Sequence, residues 1–400
     1  MRSRLLLVVF FLSGISALLY QIVWLKYLGL VFGNTVHAAA TLIAIFLAGL
    51  GIGGYLFGRF FTGRHPLFVY AILEALIGAI GSFSPNGFAL LDDAYIAVFQ
   101  QFSDAPLALA IARAFFAALF LLPPTILMGG TLPVLVRWVS AQPIGSGRAI
   151  SSLYAVNTFG ATAGVALAGF VTIPRVGLLA TIFLAVLINF LLAGTSAALG
   201  FRLSWTTDNR QPTTDKGRPT TINTLILLAA LLMGLTSIAD EVFWTRILVL
   251  HLGSSVYAYS LMLFAFLIGL AAGSAAIYRV IDRVDARRTL ALLEIALAVA
   301  LALQLFFFTR FSDVLEGIAR LVGATGGYGS TLLVFLIGTL SALLIPTALM
   351  GATFPLVVRL YAESAGEGES RSTGIVYSFN TVGSILGSLL AGFLLIRLIG

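Results

Sequence analysis

Seven positions of this chain are answered 220 residues later without a gap: Gly14, Trp24, Lys26, Gly33, Gly53, Arg59 and Glu74 by Gly234, Trp244, Arg246, Gly253, Gly273, Arg279 and Glu294. The register then slips by two or three residues. Pro124, Met128, Gly129, Thr131, Pro133 and Arg137 return as Pro346, Met350, Gly351, Thr353, Pro355 and Arg359. Tyr154, Asn157, Gly160, Gly164 and Gly169 follow as Tyr377, Asn380, Gly383, Gly387 and Gly392. A duplication of this length commits the fold to two copies of one unit, whose surface must suit the solvent around it. That solvent is lipid: 60% of residues are hydrophobic, only 10% are charged and the mean hydropathy is +1.05. The chain is an all-α integral membrane protein.

Apolar stretches able to cross a hydrocarbon core of about 30 Å as helices run over 5–32, 36–58, 66–90, 105–138, 149–173 and 177–199 in the first repeat. The second offers 222–250, 256–278, 289–309, 330–360 and 372–396. This reading gives about 11 transmembrane helices in two six-helix repeats. Gly400 aligns with Gly177, just before the sixth helix of the first repeat, so the last helix of the second is expected to be missing. The expected boundaries are 1–200 for the first repeat, 201–221 for a polar cytoplasmic linker with Asp208, Asp215 and Pro219, and 222–400 for the second repeat. An even number of spans before the linker makes the repeats parallel, related by a twofold axis along the membrane normal.

Charge placement orients the chain. With a cytoplasmic N-terminus, Arg2, Arg4, Arg59, Arg64, Arg137, Arg148, Arg279, Arg283, Arg287, Arg288 and Arg359 all fall inside, while Lys26, Arg175, Arg246 and Arg310 are among the few outside. The positive-inside rule then predicts a multi-pass protein with its N-terminus in the cytoplasm, and the expected location is a bacterial inner membrane. Basic residues divided among short loops do not form a nucleic-acid surface. There is no cysteine, and the three histidines are scattered, so no metal site is expected. The outer segments 85–104 and 310–329 hold equivalent places in the repeats, and each is long enough for a short amphipathic helix.

Small residues four apart, such as Gly49 and Gly53, Gly160 and Gly164, and Gly383 and Gly387, let helices approach closely. The segments Pro124–Gly129–Pro133 and Pro346–Gly351–Pro355 place two prolines around a Met-Gly pair, so helix breaks are expected near Met128 and Met350. Ionisable groups in the spans are expensive, about 2.5–3.5 kcal/mol each on insertion scales, and each demands a role. Arg59 with Glu74, and Arg279 with Glu294, read as structural ion pairs. Asp240 and Glu241 lie roughly 29 Å along their helix from Thr221, at about 1.5 Å per residue. Being adjacent they are about 100° apart, so one is free to face a pocket that Tyr20 and Gln21 of the matching turn would share. Asn157, Asn189 and Asn380 read as hydrogen-bonding partners between helices.

The run from Ser13 through Tyr20-Gln21-Ile-Val-Trp24-Leu-Lys26, then Gly33-Asn-Thr35, Ala48-Gly49-Leu-Gly51-Ile-Gly53-Gly54 and Gly58-Arg59, resembles the membrane region of the fused MFS/spermidine synthase family. The segments Pro124 to Pro133 and Leu153-Tyr154-Ala-Val-Asn157 share that resemblance, which covers nearly the whole chain. The placement of Gly54, Gly58, Arg59 and Arg64, and of Arg279, Asp282 and Arg283, is also similar to the loops of major facilitator transporters, which implies an MFS-like fold. Members of the fused family carry a C-terminal domain similar to polyamine aminopropyltransferases. This chain has no strand, glycine-rich turn and acid in series to match it, so no catalytic residue and no cofactor are expected here. The resemblance implies a transporter-like domain that binds or moves a polyamine-like cationic solute. The alternative is a non-transporting anchor or sensor for a synthase-like domain beyond residue 400. Where the family often has Glu in the first helix this chain has Gln21, while the second repeat keeps Glu241.

Overall fold

A computed structural model of the chain describes residues 2–33, 36–61, 64–140, 146–203, 221–252, 256–324, 326–366 and 368–399. Most of the expected linker and Gly400 lie outside the described residues. The first half is α1 (Arg2–Phe32), α2 (Val36–Phe60), α3 (Pro66–Phe102), α4 (Pro106–Ser140), α5 (Ser146–Ala166) and α6 (Ile173–Arg202). The second is α7 (Thr221–Leu252), α8 (Val256–Tyr278), α9 (Ala286–Thr309), the short α10 (Phe311–Leu321), α11 (Tyr328–Ala365) and α12 (Glu369–Leu389). Ten helices among the described residues are long and apolar enough to span a membrane. One of them, the 53-residue Ile150–Arg202, is broken at Gly177 near the start of α6, where φ is 81° and ψ 178°. The outer segments differ between the copies: in the first half α3 simply continues to Phe102, whereas in the second α10 is a separate amphipathic helix seated on α11.

Glycine dictates which helices pair. Gly53 backs onto the carbonyl of Ile126 and Gly129 onto that of Leu50, drawing α2 against α4. In the second half Gly273 meets Ala348 and Gly351 meets Leu270, drawing α8 against α11. Gly160 and Gly164 seat α5 on α1 at Phe11 and Ile15, as Gly383 and Gly387 seat α12 on α7 at Leu231 and Leu235. A Cβ at any of these glycines would collide with backbone that has no room to yield, so the small-residue stripes are packing seams.

The pairing across the two halves is reciprocal. α2 packs on α12 and α8 packs on α5, and these two contacts exchange when each helix is replaced by its copy. The same holds for α4 with α12 and α11 with α5. A twofold relation between parallel halves requires this reciprocity.

The expected breaks at Met128 and Met350 do not occur. α4 carries Pro123, Pro124 and Pro133, and α11 carries Pro346 and Pro355, each inside one uninterrupted helix. In α11 a side chain takes up the carbonyl that one proline strands, and threonines bond back to their own helices beside the prolines. Pro346 leaves the Ala342 carbonyl without its usual donor, and the Gln304 amide supplies one at 2.8 Å. Thr125 and Thr347 bond back to Leu121 and Leu343, each at 2.6 Å. The irregular backbone lies elsewhere: Leu167–Thr172 and Leu390–Leu395 are π-helical turns that extend α5 and α12. Both begin Leu-Ala-Gly-Phe. At these turns Gly169 lies against Ser260 of α8 and Gly392 against Ala40 of α2, again at copied positions.

Candidate functional site

Two cavities, of about 140 and 150 Å³, face each other across the boundary between the halves. The first is lined by Ser13, Ser16, Gln21, Met128, Thr131 and Asn157 among others. The second is lined at matching positions by Met233, Thr236, Met350, Thr353 and Asn380. Tyr154 of α5 and Tyr377 of α12, themselves a copied pair, line both. Between the tyrosines stands Phe354 of α11, stacked on Tyr154 with ring centres 4.9 Å apart and edge-on to Tyr377 at 6.2 Å. Three rings from three helices thus form the wall where the two cavities meet. The first half has Leu132 where the second has Phe354, so the wall is one-sided.

Toward the arginine-rich end the halves are locked together. The Ser151 hydroxyl donates to the Ser274 carbonyl at 2.6 Å, and the Ser274 hydroxyl donates to the Ser151 carbonyl at 3.1 Å. The equivalent contact on the other side of the axis joins Gly54 and Gly374, backbone to backbone. Ser370 and Ser378 add bonds to the carbonyls of Pro133 and Gly51, each at 2.9 Å. Arg148 pairs with Asp282 at 3.3 Å across the halves. Arg137 and Arg359 donate to the carbonyls of Phe61 and Ile281, again at copied positions.

The expected site residues separate. Gln21 lines the first cavity. Tyr20 is fully buried, stacked on Trp24 at 4.7 Å with its hydroxyl against Gly81 of α3, and so turns away from the boundary. Glu241 is 8% exposed and Asp240 half-buried with one carboxylate oxygen unpartnered, and neither lines either cavity. Of the four, only Gln21 lines either of these two cavities.

The ion pairs also resolve differently. Glu74 is fully buried about 12 Å along α3, at 1.5 Å per residue. It accepts from Ser13 Oγ of α1 at 2.7 Å and from Asn189 Nδ2 of α6 at 2.5 Å. Arg59 stays exposed at the end of α2, donating to the Tyr55 hydroxyl at 2.6 Å with its guanidinium over the Tyr55 and Phe60 rings. Arg279 is exposed, and Glu294 turns instead to the second cavity with one oxygen buried and unpartnered. The reason is depth: an arginine at a helix terminus gains more from water than from a carboxylate two turns below it. Asn189 and Asn380 do bridge helices, Asn380 donating to the Ala230 carbonyl at 3.0 Å. Among the described residues no group of three or more His, Asp and Glu could hold a metal ion.

No protein-family model matches the chain, and no curated protein matches it. Its fold is similar to solved transporters. A major facilitator superfamily transporter, FucP, in its outward conformation superposes with a TM-score of 0.56 at 15% identity, over 98% of this chain and 90% of that one. An alanine variant of the E. coli fucose:proton symporter FucP gives 0.57 at 14% identity, over 98% and 92%. At such identities the likeness is one of fold. With its paired halves and facing cavities, the chain is a multi-pass, all-α membrane protein whose fold is similar to that of solved major facilitator transporters.

Proposed function

We propose that this chain moves a small solute across the membrane by alternating access, its halves rocking about the twofold axis around the paired cavities. The observation that carries this reading is the reciprocal packing of α2 on α12 and α8 on α5 around two copied cavities that share Tyr154 and Tyr377. Seams of glycine backbone and serine hydroxyls can part and re-form at small cost, unlike interdigitated large side chains. We take the arginine-rich end as cytoplasmic, on the positive-inside rule, so the Ser151–Ser274 and Arg148–Asp282 contacts close the cytoplasmic side. The solute we assign is cationic and polyamine-like, on the resemblance to the fused MFS/spermidine synthase family and on four acidic side chains, Glu74, Asp240, Glu241 and Glu294, set within the spans.

The absence of cysteine makes the test direct, because a single Gln21→Cys substitution is the only thiol in the protein. Purified protein in oriented liposomes is treated with a membrane-impermeant maleimide from each face in turn. We expect labelling from the outer face only, with the cytoplasmic face becoming reactive when Arg148→Ala and Asp282→Ala unlatch the inner end. Spermidine uptake into the same liposomes tests the solute. Labelling that never changes sides, with no uptake, would replace transport by the anchor reading, in which the membrane region holds a synthase-like domain beyond residue 400.

A further inference from the structure

The two carboxylates at the third-helix position of each half have different surroundings. Glu74 has its oxygens occupied by donors from α1 and α6. At Glu294 the residue equivalent to Ser13 is Met233, which has no proton to give, and one carboxylate oxygen is buried beside the second cavity without a partner. Most of that cavity's aliphatic hydroxyls present it with an acceptor oxygen. A hydroxyl has one proton to donate, and four of the five aliphatic hydroxyls there have already spent it on their own helix. Thr353 donates to the Met350 carbonyl at 2.7 Å, Thr381 to Tyr377 at 2.7 Å, Ser384 to Asn380 at 3.0 Å and Thr236 to Leu232 at 3.0 Å. Asn380 donates one amide proton to the Ala230 carbonyl and keeps its side-chain oxygen as an acceptor. No Lys or Arg lines it.

We propose that the cavity of the second half is a monovalent-cation site, with Glu294 as its counter-charge and the oxygens of Thr353, Asn380 and Ser384 as its neutral acceptors. An anion would meet lone pairs and a carboxylate there, whereas a cation satisfies both at once. The first cavity, with Gln21 and no lining carboxylate, takes the uncharged part of whatever binds. The inference rests on the transport reading for its purpose, and it names the side chain that makes the solute or a co-transported ion positive. An ammonium group and an inorganic ion share this chemistry.

The test is the thermal stability of the purified full chain in nanodiscs, with sodium, potassium or methylammonium chloride replacing N-methylglucamine chloride at constant ionic strength. We expect a saturable rise in Tm with at least one of the three, methylammonium marking an ammonium site and sodium or potassium an inorganic one. Glu294→Gln should weaken the apparent affinity by about tenfold or more. Glu74→Gln should lower the baseline Tm and keep the response. If Glu294→Gln does not fold, Thr353→Val serves in its place and should weaken the response several-fold. A wild type indifferent to all three cations overturns the inference, as does an unchanged response in Glu294→Gln or, where that variant fails to fold, in Thr353→Val. The Gln21→Cys labelling reads alternating access without reference to cations, so the transport reading can fail or survive independently.

Discussion

Glu74 and Glu294 occupy one position of the repeat and do different work because of their neighbours: Ser13 and Asn189 donate to Glu74, whereas Met233 stands in the place of Ser13 in the other copy. Removing a donor from Glu74 leaves a charge underpaired inside the bundle, so Ser13→Ala or Asn189→Leu should each destabilise by about 1–3 kcal/mol. Arg59→Ala should cost under about 0.5 kcal/mol, because the partner it loses, Tyr55, is exposed. Unfolding in detergent, followed by tryptophan fluorescence, separates the two outcomes; equal losses would restore the Arg59–Glu74 pairing that sequence spacing suggests. The sequence exposes the acids, since a carboxylate in an apolar run is conspicuous, but it hides their partners. Asn189 lies in the sixth span, which has no copy in this chain, so comparing the repeats could not couple it to Glu74. Gln21 lines the first cavity, while Tyr20, one residue earlier, is turned about 100° away, a difference the paired positions in the sequence did not show.

Helix positions and pairings follow from hydropathy and glycine spacing, and the structure places each span within a few residues of its apolar run except α3, which runs on past 90 to Phe102. Irregularity was harder to read, because proline and glycine mark where a helix can fail rather than where it does. At Pro346 the released Ala342 carbonyl is recovered by Gln304, whose other amide atom accepts from Trp244 Nε1 at 3.0 Å. One side chain thereby ties α7, α9 and α11 together. Gln304→Leu would leave a buried carbonyl and a buried indole donor unpaired, and should cost about 2 kcal/mol or more by the same unfolding assay. A near-neutral result would mean that the helix bends to satisfy itself. In the first half the equivalent residue, Ser84, turns to the Gly81 carbonyl and leaves Trp24 Nε1 without a partner. The repeat therefore conserves the packing and not the polar network. The π-helical turns were invisible because Leu-Ala-Gly-Phe is ordinary helical sequence, and only the contacts of Gly169 with Ser260 and Gly392 with Ala40 give those turns a place.

At the scale of the whole molecule, function depends on which contacts cross between the halves and which of them can open. The seam at the arginine-rich end is asymmetric in chemistry and symmetric in position: Ser151 and Ser274 are joined by two hydrogen bonds, Gly54 and Gly374 by bare backbone. Each serine hydroxyl reaches the other's carbonyl, so the two backbones lie within one side chain of each other, close enough for a disulfide without large movement. The chain has no cysteine of its own, so Ser151→Cys with Ser274→Cys adds a single possible crosslink. If the halves part at this end during each cycle, oxidation should stop uptake and confine Gln21→Cys-type labelling to the outer face, and reduction should restore both. Here the labelling is best followed through an orthogonal probe at Gln21, such as an unnatural amino acid, so that the crosslinking thiols stay the only ones. Oxidised protein that transports at an unchanged rate would mean that this seam does not open and that solute leaves by another route. Protein that crosslinks without losing outer access, and regains uptake on reduction, fixes the arginine-rich end as the moving gate.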